Sequence, residues 1–278
     1  MTAGSATAHG FCCVLPASGV EVELFHPTGR EDLLLLEVKG GDAEAALALA
    51  ARLARTPEGA AVDFAALPVG DLDAALVRLR QMLLGDRVRS DVTCPNPGCG
   101  ARIDISFGLG DYLEHRRPRA PALRAWEVAP CADAPGWFRL ARRAAAVEEP
   151  VRFRLPAAGD ERAAADRPDA ADELARRCVR PAGRPARLRR AAEAAMEALA
   201  PSLSSELSGV CPDCATEIRV HFDARRYCLQ ELRTRAAGVL ADVDTLAQRY
   251  HWSEQAILEM PSVRRASYAE LARERSVA

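Results

Sequence analysis

Two short stretches of the chain, VTCPNPGCG at residues 92–100 and VCPDCATE at residues 210–217, contain the same kind of cysteine and proline turn. The first turn runs from Cys94 to Cys99, and the second runs from Cys211 to Cys214. A turn with two thiols offers half of a tetrahedral metal site. The second turn, far along the chain from the first, is therefore best explained if it completes the site that the first one begins.

The residues that follow each turn repeat as well. They alternate between apolar and mainly polar positions, which is the period of a β-strand with one buried face. Each half is therefore predicted to be a cysteine turn followed by a strand, and the apolar faces of the two strands should share a core. At matching distances from the second cysteine, the apolar residues are Ile103, Ile105 and Phe107 in one half and Ile218, Val220 and Phe222 in the other, and the alternate residues are Arg102, Asp104 and Ser106, and Glu217, Arg219 and His221.

Four thiolates can complete one tetrahedral zinc site with zinc–sulfur distances of about 2.3 Å. The sequence predicts one structural zinc per chain, which would clamp the two distant segments. A redox dithiol and a vestigial site without metal are the alternatives, although a Cys-x2-Cys oxidoreductase normally opens a helix where Cys214 leads into a strand. Four cysteine ligands also leave no open position for a catalytic water. The predicted ligands are Cys94, Cys99, Cys211 and Cys214.

The remaining cysteines and the nearby histidines are given other roles. Cys178 and Cys228 fall within predicted helices and are expected to be buried as small apolar side chains. His115 and His221 lie near the turns and could replace a ligand, but four cysteines suffice. No cofactor besides zinc is predicted.

The composition excludes a few classes of function. The chain has 278 residues, 49% of them hydrophobic, which is enough for one large domain or two small ones. Its formal net charge of -2 provides no global field for nucleic acid or an anionic membrane. The N-terminus shows neither a signal peptide nor a long apolar run, so we expect a cytoplasmic protein without membrane contact, whose nine cysteines are metal ligands or buried thiols.

The predicted fold class is α+β, mostly helical, with a small zinc-ribbon-like β unit built from the two separated halves. Asp71 is the expected N-cap of one helix, which Gly85 closes, and the stretch VRFRLP is an expected strand. Helices are also expected from Asp42 to about Arg55, near 158–178 and 187–200, and from Arg225 to Tyr250, with two short ones opened by Ser253 and Ser262. The predicted regions are 1–90 (N-terminal helical region), 91–115 (first knuckle and strand), 116–207 (inserted middle region), 208–223 (second knuckle and strand) and 224–278 (C-terminal helical tail).

The C-terminal tail concentrates apolar and aromatic residues at helical spacing, beside two arginines that most surfaces would leave solvated. Together with the CPDC turn, VRFRLPAAGD at 151–160 and RRCV at 176–179, this pattern resembles the baseplate hub assembly proteins, or chaperones, of T-even-type phages and of related contractile tails and contractile injection systems. The resemblance covers roughly residues 33–271. In the tail it rests on Leu246, Ala247, Tyr250, Trp252, Ser253, Glu254, Ile257, Leu258, Arg264, Arg265 and Tyr268.

The resemblance implies a non-enzymatic assembly or structural protein whose partners are baseplate and hub proteins, with no small-molecule substrate. Such a protein either leaves after assembly or stays in the phage tail-like particle. The partner-binding residues would be Tyr250, Trp252, Arg264, Arg265 and Tyr268. Core packing is the alternative role for the aromatic residues among them. The departures are the longer first turn, CPNPGC, and Cys228 with Gln230 in a segment that is more aromatic in the family.

Two other classes of function compete with this one. A nucleic-acid-binding zinc ribbon would use the same cysteine turns, but Arg87, Arg89 and Arg102 are offset by Asp86, Asp91 and Asp104. An enzyme would need a phosphate loop, a nucleophile with its base, or an open metal site, and no such pattern stands out in the sequence.

Overall fold

The computed structural model describes residues 10–142, 151–165, 167–181 and 185–277. The fold is mixed α+β, which confirms that part of the predicted class. With 46% helix and 24% strand it is not mostly helical, because the N-terminal and middle regions each contain a sheet. No helix in these ranges is both long and apolar enough to cross a membrane.

The N-terminal region packs three helices on a three-stranded antiparallel sheet, whereas only helices were predicted there. The strands pair in the order β1-β2-β3. Because β1 and β2 have four residues each, they are too short to show a clear alternation in the sequence. The elements are β1 (Phe11–Val14), β2 (Glu21–Leu24), α1 (Gly29–Glu37), α2 (Asp42–Leu53), β3 (Ala54–Arg55) and α3 (Val69–Leu84).

The start of α3 differs from the expected one. The helix begins at Val69 with Pro68 as its N-cap, so Asp71 lies within the first turn. The Asp71 carboxylate instead accepts hydrogen bonds from the backbone N–H groups of Ala17 and Ser18, at 2.8 and 3.0 Å. The prediction that Asp71 is the N-cap was wrong because its carboxylate holds a distant loop. Gly85, with φ of 83°, closes the helix as predicted.

The first cysteine turn is the tip of a β-hairpin. Its strands are β4 (Arg87–Thr93) and β5 (Arg102–Gly108), and α4 (Leu109–His115) follows directly. β5 is the predicted strand, with Ile103, Ile105 and Phe107 turned away from solvent. β4 was not predicted as a full strand, because its residues are mostly exposed and polar.

The middle region forms a four-stranded antiparallel sheet of order β6-β7-β8-β9, covered on one face by a helix. The stretch VRFRLP contains the predicted strand, and the predicted helices are present. The proline-rich stretch at residues 115–136 contains the first of these strands, and the second strand begins directly after it. The elements are β6 (Trp126–Pro130), β7 (Trp137–Arg142), β8 (Val151–Arg154), α5 (Ala158–Ala164), α6 (Ala170–Cys178), β9 (Val179–Arg180) and α7 (Ala186–Leu199).

The second cysteine turn is also the tip of a hairpin, formed by β10 (Ser204–Val210) and β11 (Glu217–Asp223) and followed by α8 (Ala224–Ala236). The four hairpin strands have seven residues each. α8 packs against α1, α2 and α3 and contributes Leu229 and Leu232 to the main apolar core. The chain therefore contains a hairpin followed by a helix twice, and of these two helices only α8 lies in the main core.

The helix expected from Arg225 to Tyr250 is two helices, because the chain breaks at Gly238. α8 belongs to the main core, so the tail proper consists of α9 (Val239–Tyr250), α10 (Glu254–Leu258) and α11 (Ser262–Val277). Ser253 is the N-cap of α10, as predicted, and its hydroxyl accepts from the Ala256 N–H at 3.3 Å. α11 begins at Ser262 as predicted but is longer than expected, at 16 residues. Leu246, Ile257 and Ala269 form a small apolar core that belongs to the tail itself.

Candidate metal centre

The two hairpin tips face each other and bring four cysteine side chains together. The backbone forms each tip in the same way: the Cys94 N–H donates to Ala101 at 2.8 Å, and the Cys211 N–H donates to Thr216 at 2.9 Å. The residue after the second cysteine has a positive φ in both tips, 59° at Gly100 and 58° at Ala215. The repeat therefore extends to the backbone conformation.

The sulfur atoms have the spacing of a tetrahedral site. The four Sγ atoms all lie within 4.8 Å of one another. Cys94 Sγ is 3.6 Å from Cys214 Sγ, and Cys99 Sγ is 3.9 Å from Cys211 Sγ. A tetrahedral metal with sulfur ligands at about 2.3 Å requires sulfur–sulfur distances of about 3.8 Å. The prediction that these four cysteines meet is confirmed, and together they could bind one metal ion.

The cluster is partly shielded from water. Cys94 and Cys211 are buried, at 4% and 1% exposure, while Cys99 and Cys214 are half-buried. Each tip therefore contributes one inner and one outer thiol. The apolar residues beside the sulfur atoms come from both strands of the first hairpin or their ends and from β11 of the second, which confirms that the two halves share a core: Val92, Ala101, Ile103, Ile218 and Val220.

One thiol of the cluster ionises more easily than an ordinary cysteine. The Thr216 hydroxyl lies 3.2 Å from the Cys214 Sγ. Hydrogen bonds from this hydroxyl and from the Thr216 backbone N–H lower the pKa of Cys214 to about 6. The first hairpin has Ala101 at the matching position, which carries no hydroxyl. Although backbone hydrogen bonds oppose the shift, burial and hydrogen bonds with the other thiols raise the pKa of Cys94 and that of Cys99. Cys214 is therefore the thiol that loses its proton most easily, as each ligand must when a metal binds.

The other cysteines and the two candidate histidines lie outside the cluster. The Ser204 hydroxyl is 3.0 Å from Nε2 of His221, which faces solvent, and His115 is the last residue of α4. Cys178 and Cys228 are buried, as predicted, and burial raises the pKa of Cys178 to about 11 and that of Cys228 to about 12. These two thiols are packing residues.

An aromatic cluster joins the bases of the two hairpins. Phe222 contacts Phe107 and Tyr112 edge-on, with ring centroids 5.1 and 5.2 Å apart, and lies 5.5 Å from Tyr227. The Tyr112 hydroxyl is 2.9 Å from the Ser205 hydroxyl of the opposite hairpin. The two tyrosines were not identified from the sequence, although Tyr112 follows Cys99 by the same number of residues as Tyr227 follows Cys214.

The predicted partner-binding aromatics of the tail form a cluster of their own. Tyr250 stacks on Trp252 at 4.8 Å between ring centroids, and Tyr268 contacts Trp252 edge-on at 5.4 Å. Tyr250 and Trp252 are half-buried against the tail core, whereas Tyr268 is 38% exposed. The structure thus brings these three residues together.

The two tail arginines have different environments. Arg264 is exposed, as expected. Arg265 is only 3% exposed, and its guanidinium contacts Asp32 of α1 at 2.8 Å and Asp242 of α9 at 3.1 Å. The expectation that Arg265 is solvated was wrong, because the helix places it on the same buried face as Ser262 and Ala269. Arg265 joins the tail to the N-terminal region.

Comparisons with models of protein families, with curated proteins and with solved structures find no match to this chain.

Proposed function

We propose that the chain is a non-enzymatic assembly or structural protein of a contractile-tail or injection-system baseplate, in which one zinc ion clamps the paired hairpins. The observation that carries the metal part is the convergence of four thiols from two distant segments. The resemblance of the tail carries the assembly part.

Zinc is the metal that best fits this set of ligands. Thiolates are soft ligands that select zinc or iron over magnesium or calcium, and four thiolates at tetrahedral spacing are typical of structural zinc. Because all four ligands are cysteine, the metal would have no position left for a water or a substrate. Such a site contributes folding energy and supports a structural role rather than a catalytic one.

Metal analysis of the purified protein tests this assignment. We expect one zinc per chain by plasma mass spectrometry, retained through gel filtration and removed by a strong chelator under mildly acidic conditions. Protein expressed with added iron should still carry zinc. Iron in place of zinc would contradict the assignment and indicate another metal. An intact fold without metal would also contradict it and favour the vestigial site.

The hairpin surface does not favour the alternative of a nucleic-acid-binding zinc ribbon. Arg102 contacts Asp91 at 2.7 Å, and Arg219 contacts Glu217 at 2.9 Å. Nucleic-acid binding needs arginines that are available to phosphates, and these are shared with carboxylates. The hairpin pair is better suited to a rigid platform than to a phosphate-binding face.

The tail offers the exposed residues that a hub partner would contact. Arg264 and Tyr268 lie on the open side of α11 together with Leu271, which is 45% exposed. Tyr250 and Trp252 support this side from beneath, and Arg265 stabilises it from within. Aromatic residues and arginine contribute most of the binding energy in many protein interfaces.

The assembly role is tested in the native gene cluster. A deletion of the gene should abolish sheathed particles in electron micrographs, and the wild-type gene should restore them. The double variant Arg264→Ala with Tyr268→Ala should fold and bind zinc but restore few particles. The matched control changes Leu240 and Arg249, which are exposed on α9, to alanine, and it should restore normal numbers. Normal particle numbers in the deletion strain would refute the baseplate role.

A further inference from the structure

The four-stranded sheet of the middle region carries a row of arginines across its outer face. Arg139 of β7 is directly opposite Arg152 of β8, and Arg152 is directly opposite Arg180 of β9. Alternate residues of these strands, such as Leu140, Phe153 and Val179, point to the opposite face and into the apolar core under α7. The three arginines are therefore neighbours on one side of the sheet, about 4.7–4.9 Å apart from strand to strand.

This arginine row is poorly neutralised by the described residues. All three arginines are exposed, and Arg152 pairs with Asp133, a loop carboxylate that is itself 64% exposed. Among the ion pairs of the described ranges, none includes Arg139 or Arg180. Like charges directly opposite each other destabilise a sheet. An anionic ligand that neutralised the three arginines would therefore stabilise the sheet.

An aromatic side chain orients one arginine of the row. The guanidinium of Arg180 lies over the Trp137 ring, 4.9 Å from its centroid. Such stacking covers the flat face of the guanidinium and leaves its N–H edge free for a carboxylate or phosphate. Arg154 lies 6.0 Å from the same ring, and its charge is already paired with Asp160 at 2.5 Å. Arg139 and Arg180 thus remain for a ligand, and Arg152 can exchange its exposed partner Asp133 for one, whereas the partner of Arg154 is buried.

The surroundings favour a protein carboxylate over a nucleic acid. Single-stranded nucleic acid needs an open aromatic face on which a base can stack, and Arg180 covers Trp137. Three arginines would neutralise few phosphates, which gives weak binding. The row ends on β6 at the uncharged Ala129, which is directly opposite Arg139, so its length suits a short acidic segment.

We propose that the row of Arg139, Arg152 and Arg180 binds an acidic helix of a partner protein, lying across the strands. Carboxylates at positions i, i+4 and i+8 share one helix face at intervals of about 5–6 Å, which matches the strand spacing of the row. Flexible arginine side chains take up the small difference. This inference rests on the middle sheet alone and does not depend on the baseplate role.

Fluorescence anisotropy with a labelled peptide tests the proposal on the full-length protein. The probe is an alanine-based helix of about 20 residues with glutamate at i, i+4 and i+8, and its matched control carries glutamine at those positions. At low salt the glutamate peptide should bind, and the double variant Arg139→Gln with Arg180→Gln should raise its Kd at least ~10-fold. Its thermal midpoint should equal or exceed that of the wild type, since like-charge repulsion is relieved.

The controls decide between this site and its alternatives. Arg190→Gln with Arg249→Gln removes the same charge from exposed helix positions and should leave the Kd unchanged. The proposal would be overturned if the glutamine peptide bound as tightly as the glutamate peptide. It would also be overturned if this control variant lost as much affinity as the Arg139 and Arg180 variant. A labelled oligothymidylate of about 8 nucleotides serves as the nucleic-acid probe. If it bound more tightly than the glutamate peptide, and if this binding required Arg139 and Arg180, the ligand would be nucleic acid and not an acidic helix.

Discussion

The first hairpin, residues 87–108, and the second, residues 204–223, are two copies of one unit that are anchored differently. Both have strands of seven residues, a cysteine turn at the tip and a phenylalanine near the base. The first leads into α4, which has seven residues, and the second leads into α8, which has thirteen and packs in the main core. The second hairpin is therefore part of the molecule's framework.

The first hairpin depends more on the contact between the two. It is held by the cysteine cluster at the tip and by Phe107 and Tyr112 at the base. An isolated two-stranded hairpin is marginally stable in water, so these contacts must add to the support from α3, where Val88 packs with Val77 and Arg80 donates to the Arg87 carbonyl. A metal at the tip would therefore act mainly by fastening the first hairpin to the second.

The largest effect is expected from removing one ligand. Cys211→Ser and Cys94→Ser should each reduce the zinc content to background and strongly lower the unfolding temperature, since a structural zinc contributes about 10–16 kcal/mol of apparent binding free energy in small peptides. The two variants should behave alike although they alter different hairpins. Cys12→Ser, at an exposed cysteine outside the cluster, is the control and should keep one zinc per chain. An unchanged zinc content in either ligand variant would refute the four-ligand assignment.

The next largest effect is expected at the bases of the hairpins, where the loss of a phenylalanine should cost the second hairpin more stability than the first. Phe222 is 8% exposed and contacts three other rings, whereas Phe107 is only half-buried. Phe222→Ala should cost about 3–5 kcal/mol of unfolding free energy, and Phe107→Ala about half as much. Urea denaturation of the metal-loaded protein measures both. If Phe107→Ala proved the more costly, the first hairpin would be the framework and the comparison above would be reversed.

A smaller effect is expected from the hydroxyl that only the second tip possesses. Thr216→Ala removes the hydrogen bond to Cys214, and loss of an outer hydrogen-bond partner commonly lowers metal affinity about 10-fold or more. Competition with a chelating dye gives the affinity. Thr216→Ser keeps the hydroxyl and should keep most of the affinity. Equal affinities for the alanine variant and the wild type would mean that the two tips hold the metal equally well.

The cysteine cluster could be predicted because it depends on local patterns. The spacing of Cys94, Cys99, Cys211 and Cys214 and the alternation after each turn were sufficient to bring the tips together. β4 and β10 were missed because their exposed, polar residues provide little hydrophobic alternation.

The burial of Arg265 could not be predicted from its neighbours. It depends on Asp32, more than two hundred residues earlier, and on Asp242, and a charged side chain is buried only where such partners meet it. The row formed by Arg139, Arg152 and Arg180 could not be predicted for a similar reason. Tertiary packing sets the register between β7, β8 and β9, and this register places the three arginines opposite one another.

The smallest effect is expected at the left-handed residue that follows each second cysteine, where the two tips differ by one methyl group. Gly100 adopts φ of 59° without strain, and a Cβ placed there meets no atom within 4 Å. Gly100→Ala should therefore lower stability only because alanine disfavours the left-handed backbone. The net loss of unfolding free energy should be about 1 kcal/mol, because alanine also lowers the entropy of the unfolded chain. Ala215 has φ of 58° and an exposed side chain, so Ala215→Gly should gain a similar or smaller amount. The midpoints of urea unfolding, measured with saturating metal, should shift in opposite directions. Shifts of the same sign would show that the backbones of the two tips are not equivalent, and the hairpins would then share a sequence pattern without sharing a turn.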